Sequence, residues 1–211
     1  MKKRFLPLFL IVVFSLVAFS ACKGSPEFDV IIENDTEPVI GVTNNAFDTT
    51  PGQCIKAVNE EFSKANLDLA DTKLSEQAKG SVKIYRSIIN DDTDLLLMSF
   101  SDNNDNISLI QIKCTSDVGE YCENAPQYYQ ALTKCICPSF NVTGFMRTGS
   151  ETFKSYDYND LHFQYDQYNQ ELDKQNEQTL QFYYVTTNQS DYDNNKDLIQ
   201  DLEEEMDNRN T

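Results

Sequence analysis

Tryptophan is absent from this chain of 211 residues, histidine occurs once, at position 162, and glycine occurs seven times. Each shortage excludes a chemistry. With so few glycines there is neither a Gly-rich dinucleotide fingerprint nor a phosphate-cradling loop. No Gly-x-Ser-x-Gly elbow is present, and nothing around the cysteines resembles a papain-type nucleophile. The lone His162 alternates with Leu161 and Phe163 in "DLHFQYDQY", which places it on the polar face of a strand, in water rather than beside a nucleophile. Basic residues are also scarce: 17 Lys and Arg stand against 34 Asp and Glu, a net charge of −17. Such a surface repels phosphate backbones and anionic head groups, so nucleic acid is not an expected partner. It suits basic partners, and it also keeps an exported chain in solution. Paired carboxylates abound in number, but no spacing marks one pair as a general acid and base. The chain therefore reads as a non-enzyme, with no catalytic residue, no metal and no cofactor assigned.

The N-terminus carries the clearest address. Lys2, Lys3 and Arg4 precede "FLPLFLIVVFSLVAF", an uncharged run of about fifteen residues, shorter than the roughly twenty of a membrane span. That is the form of an export signal, residues 1–21. "FSAC" resembles the bacterial lipobox, with Ser20 and Ala21 before Cys22 and Phe19 where leucine is usual, and this resemblance implies lipidation at Cys22. Ala18 and Ser20 equally suit an ordinary signal peptidase. Cys54, Cys114, Cys122, Cys135 and Cys137 are the remaining cysteines. Export favours disulfides among them, and an even total of six favours free secretion over a lipid anchor. Both outcomes are extracytoplasmic. Membrane contact is expected only through a lipid on Cys22.

Composition within the exported part is that of a folded chain. After a lead segment over 22–49, "TTPGQCIKAVNEEFSKANLDL" opens with Thr50, Pro51 and Gln53 in a capping-box arrangement. Ile55, Val58, Phe62, Ala65 and Leu69 then recur at steps of three and four, one apolar stripe of a helix. "SVKIYRSII", "DLLLMSF" and "ISLIQIKC" read as strands parted by Asn/Asp turns. The order then repeats. "ENAPQYYQALTKCI" is a helix with Asn124 as cap and Pro126 in its first turn, followed by strands "ETFKSYDY", "DLHFQYDQY" and "TLQFYYVTT". Lys83-x-Tyr85 and Lys154-x-Tyr156 lie 71 residues apart, the mark of an internal duplication. The expected fold class is α+β, two tandem helix-plus-antiparallel-meander units over 50–118 and 119–190. An acidic helix or tail over 191–211 carries Leu198, Leu202 and Met206. Within it Asp191, Asp193, Asn195 and Asp197 alternate like calcium-loop ligands, but Lys196 stands where such a loop turns on glycine. The cysteines lack the paired C-x₂-C spacing of zinc sites.

"AVNEEFSKAN", residues 57–66, resembles the central helix of the cystatins, and the strands after it follow the cystatin order. The resemblance covers residues 50–114, with a degenerate copy after Cys122. It implies a sheet wrapped on a helix and, in the family, inhibition of papain-like proteases through a Gln-x-Val-x-Gly hairpin. That hairpin falls on Ser87, Ile88, Ile89, Asn90 and Asp91, with Ser87, Ile89 and Asp91 at the motif's three positions. Asp91 stands in place of the glycine, and the family's Pro-Trp hairpin has no tryptophan here. The reading is an exported, non-catalytic binding protein whose partner is another protein. The alternatives are a papain-type protease inhibitor and a lipid-anchored envelope lipoprotein. Tyr156, Tyr158, Tyr165, Tyr168, Tyr183 and Tyr184 are candidates for a contact face, since tyrosine joins apolar area to a polar tip.

Overall fold

A computed structural model describes residues 37–100, 106–118, 120, 122–140, 153–173 and 176–207. The signal segment and Cys22 lie outside the described residues. Two short strands, β1 (Val42–Thr43) and β2 (Ala46–Phe47), turn on Asn44 and Asn45, both at positive φ, a geometry asparagine tolerates. Helix α1 (Pro51–Lys64) follows. Its start is the capping box: the Gln53 amide N–H donates to the Thr50 hydroxyl, and the Thr50 N–H donates to Gln53 Oε1 at 3.1 Å. Ile55, Val58 and Phe62 are buried along one stripe. The helix ends one residue before Ala65, and Asn66 takes φ 55°, so Leu69 leaves the stripe and is 52% exposed.

Four strands come next: β3 (Ser75–Lys79), β4 (Val82–Asn90), β5 (Thr93–Ser99) and β6 (Leu109–Asp117). β3 has no counterpart in the sequence reading. "SEQAK" lacks apolar alternation because it is an edge strand whose side chains are mostly exposed. After α2 (Ala125–Ile136) come β7 (Phe153–Tyr158), β8 (Leu161–Asp173) and β9 (Asn176–Thr186), then the short α3 (Gln189–Asn194) and α4 (Lys196–Asp207). Asn124 precedes α2 as expected, but its side chain makes no capping bond.

The protein is α+β, with one large antiparallel sheet. Its seven strands run β3-β4-β5-β6-β9-β8-β7. The four-stranded and three-stranded meanders meet where β6 pairs with β9, Ile112 facing Tyr183. One residue row crosses all seven strands: Glu76, Tyr85, Leu97, Ile110, Val185, Phe163, Tyr156. The two tyrosines of the Lys-x-Tyr pairs thus share this row, on opposite sides of the β6–β9 seam.

Strand alternation sends the two sets of side chains to different helices. On one face Tyr85, Leu95, Leu97, Ile110, Ile112, Phe163, Tyr165, Tyr183 and Val185 pack with α1 and α2. These helices also touch each other: Phe62 meets Tyr128 edge to face, centroids 5.0 Å apart. Tyr129, fully buried, donates its hydroxyl proton to the Tyr184 carbonyl at 2.8 Å. On the other face Val82, Ile84, Leu96, Met98, Leu109 and Tyr184 receive Ile199, Leu202 and Met206 of α4. The C-terminal segment is therefore a docked helix, and the sheet is covered on both sides.

Candidate functional site

One end of the sheet gathers the turn between β4 and β5, the end of β6 and the start of β9. The registers fix this: Asn90 pairs with Thr93, Thr93 with Cys114, and Asp117 with Gln178. The connection from β6 to α2 passes over the same end. Between these elements lies a groove of about 570 Å³, bounded among others by Asp92, Asp117, Glu120, Glu123 and Glu177. No Lys or Arg occurs among its described lining residues. Hydrogen bonds hold its walls together. The Thr115 N–H donates to the Asp92 carbonyl at 2.9 Å, and the Ser116 hydroxyl donates to the Glu120 carbonyl at 3.1 Å.

The hairpin singled out from sequence forms one wall, yet its residues do not share a role. Ser87 is fully buried and donates to the Asp71 carbonyl at 2.6 Å. Ile89 is buried in the core under the helices. Asn90 donates its amide towards Asp68 Oδ2 at 3.3 Å and lies 3.5 Å from the Tyr128 hydroxyl. Burial and the neighbouring Asp68 push the Tyr128 phenol above its ordinary pKa. Asp91 is exposed at the turn, and Ile88 is 49% exposed. Two of the three motif positions, Ser87 and Ile89, are therefore buried, and the exposed positions of the hairpin are Ile88 and Asp91. Leu69 lies on the segment beside β4, since the Asp71 N–H donates to the Ile88 carbonyl at 2.8 Å. Leu69 and Ile88 are thus exposed apolar residues on neighbouring segments.

The other candidates are dispersed. Tyr165, Tyr183 and Tyr184 are buried. Tyr156 and Tyr168 are exposed but sit on opposite faces, Tyr156 against Phe140 and Tyr168 stacked on Phe182. They form no single contact face. His162 is held between Asp157 Oδ1 at 2.6 Å and Gln164 Oε1 at 3.2 Å, so Nδ1 ties β8 to β7 and Nε2 meets a neighbour on its own strand. The 191–197 run spans the end of α3 and the start of α4, broken only by a turn at Asn195. The Asp191 N–H donates to Asn188 Oδ1 at 3.2 Å, and Lys196 pairs with Asp193. Among the described residues no cluster of three or more His, Cys, Asp or Glu is arranged to hold a metal ion.

Cys54, Cys114, Cys122, Cys135 and Cys137 are free thiols, with no pair at bonding distance. Burial pushes the Cys135 thiol up to about 12, assisted by Glu61, and raises Cys54 and Cys137 as well. Cys122, at the groove, moves the other way, because the Cys114 thiol donates a hydrogen bond to it. Sequence reasoning missed Asp117, Glu120, Glu123 and Glu177 as one surface. The only signal was local acid density, which a solvated turn shows too.

No family model matches the chain, and no curated protein or solved structure matches it. No helix among the described residues is long and apolar enough to cross a membrane.

Proposed function

We propose that the chain is an exported, non-catalytic binding protein that captures a basic protein at the acidic end of its sheet. The observation that carries this reading is the groove with five carboxylates and no described basic side chain; Leu69 and Ile88 are exposed apolar residues elsewhere on the hairpin side of the molecule. Charge of one sign steers an oppositely charged partner and selects against acidic ones. The strand row that joins Tyr85 to Tyr156 supports descent from two copies of a cystatin-like helix-plus-meander unit fused through β6 and β9. Export rests on the leader, with secretion favoured over a lipid on Cys22.

The binding test uses the purified exported chain and a fluorescent peptide of alternating lysine and leucine. Exchanging groove charges with Asp92→Lys and Glu120→Lys should weaken binding by about tenfold or more, in a salt-sensitive way. Glu205→Lys, on the exposed side of α4, should leave it nearly unchanged. Equal weakening by both would show that only net charge matters and would remove the site. The mass of the mature N-terminus tests the address: a free terminus supports secretion, and a diacylglyceryl mass on Cys22 supports the lipoprotein alternative. Inhibition of papain-type enzymes is the remaining alternative. The inward-facing Ser87 and Ile89 predict no inhibition through that hairpin.

A further inference from the structure

We infer that Cys114 and Cys122 form one specific disulfide, joining the end of β6 to the lead of α2, and that Cys54, Cys135 and Cys137 take no part in it. The placement follows from the sheet. Cys114 lies opposite Gln181 in the β6–β9 register. Gln181 in turn accepts the Cys122 backbone N–H at Oε1, 2.9 Å away. One side chain of the neighbouring strand therefore holds Cys122 over Cys114. The Cys122 sulfur sits 3.3 Å from the carbonyl of Thr115, the residue after Cys114. The two thiols are hydrogen-bonded to each other.

The surroundings divide the chemistry between them. Cys114 is fully buried and lies 3.6 Å from the Thr93 hydroxyl. Cys122 is half-buried and opens on the acidic groove, so an oxidant reaches it first. The hydrogen bond from Cys114 favours the Cys122 thiolate, the form that attacks a disulfide. The oxidant is a small-molecule disulfide. Cys122 sulfur displaces one of its thiolates and becomes a mixed disulfide. Cys114 sulfur then attacks Cys122, breaks the mixed bond and releases the second thiolate. The two leaving groups take up the two protein protons, so two protein thiols and one reagent disulfide become one protein disulfide and two reagent thiols. Cys135 has its own arrangement, donating to the Ala57 carbonyl at 3.5 Å, and Cys137 lies 3.7 Å from the Ser139 hydroxyl.

The inference rests on this geometry and not on export, and its test needs no cell. The purified chain, first reduced, is exposed natively to bis(2-hydroxyethyl) disulfide, whose lack of charge lets it enter the groove. Acid quenching, alkylation and digestion follow. Cys114 and Cys122 share the tryptic peptide 114–134, bounded by Lys113 and Lys134. That peptide should be unalkylated and lighter by two hydrogens. Cleavage after Glu120 should leave two fragments joined until a reductant is added. The Cys122→Ser variant, altered at the half-exposed position, should lose this link and leave Cys114 unreacted in the native state. Recovery of both cysteines alkylated, a stable mixed disulfide at Cys122, or a bond from either to Cys54, Cys135 or Cys137 would each overturn the assignment.

Discussion

Replacing Lys113 by methionine should destabilise the protein by about 3 kcal/mol, and removing Glu203 as well should restore most of that loss. Lys113 projects from β6 toward α4, where its ammonium lies 3.2 Å from Glu203 Oε2 and 3.2 Å from Asp207 Oδ2. Its side chain is 9% exposed and that of Glu203 is 13% exposed. Burial disfavours the ammonium, but Glu203 and Asp207 outweigh it and leave Lys113 raised above its ordinary pKa. Burial likewise raises Glu203, against the pull of Lys113. α4 has no basic residue in its last turn, so Lys113 and Arg86 of the sheet supply the positive charge its carbonyl end favours.

Methionine keeps the aliphatic volume and removes the charge, which strands the Glu203 carboxylate. Breaking a buried pair in this way costs about 3–5 kcal/mol, and the lower end applies because Glu203 retains some solvent contact. Asp207 is half-exposed and adds little. For a domain of this size the loss corresponds to a fall in Tm of about 6–12 °C, read by circular dichroism. Lys113→Met with Glu203→Leu should recover to within about 1 kcal/mol of the parent. The pH dependence has a definite sign. A carboxyl whose folded pKa is raised costs stability as pH climbs from its unfolded value through the folded one. The single variant, with Glu203 raised further, should therefore lose part of its deficit on acidification, as the folded Glu203 carboxyl takes up its proton above the ordinary carboxylate range. A single variant within about 1 kcal/mol of the parent, or a double variant no better than the single, would refute the reasoning.

Phe62→Ala should cost about 3–5 kcal/mol in urea unfolding, because it empties the fully buried contact between α1 and Tyr128. Thr50→Ala removes the capping box and should cost about 1 kcal/mol, with the loss confined to stability. Asn59 pairs both backbone groups of Ala70 at 2.8 Å, so Asn59→Ala should cost about 1–3 kcal/mol and speed amide exchange at Ala70. Asp94 is raised by burial despite Arg86, so Asp94→Asn should be tolerated better at neutral pH than Arg86→Ala, which strands the carboxylate.

Much of the local structure was legible residue by residue. The capping box at Thr50 and Gln53, the stripe through Ile55, Val58 and Phe62, and six of the seven strands in the large sheet follow from periodicity and turn chemistry. These signals depend on neighbours within a few residues, and local sterics and hydrogen bonding enforce them. Leu69 failed because a stripe does not say where a helix stops; the left-handed Asn66 does. β3 failed because an edge strand with mostly exposed side chains has no alternation to read.

What the amino-acid order determined by itself was the kind of each element, the acidic balance, and the poverty of glycine, histidine and basic residues that argues against several chemistries. Tertiary structure alone decided the rest. The seam of β6 and β9 joins residues about seventy apart through backbone hydrogen bonds, which leave no trace in composition. Strand pairing brings Asp92, Asp117 and Glu177 to one groove and sets Cys122 over Cys114 through Gln181, while Ser87 and Ile89 turn inward against the Asp71 carbonyl and the helix-covered core. Each depends on which strands become neighbours, a choice made by the burial of two sheet faces at once and not by any one segment.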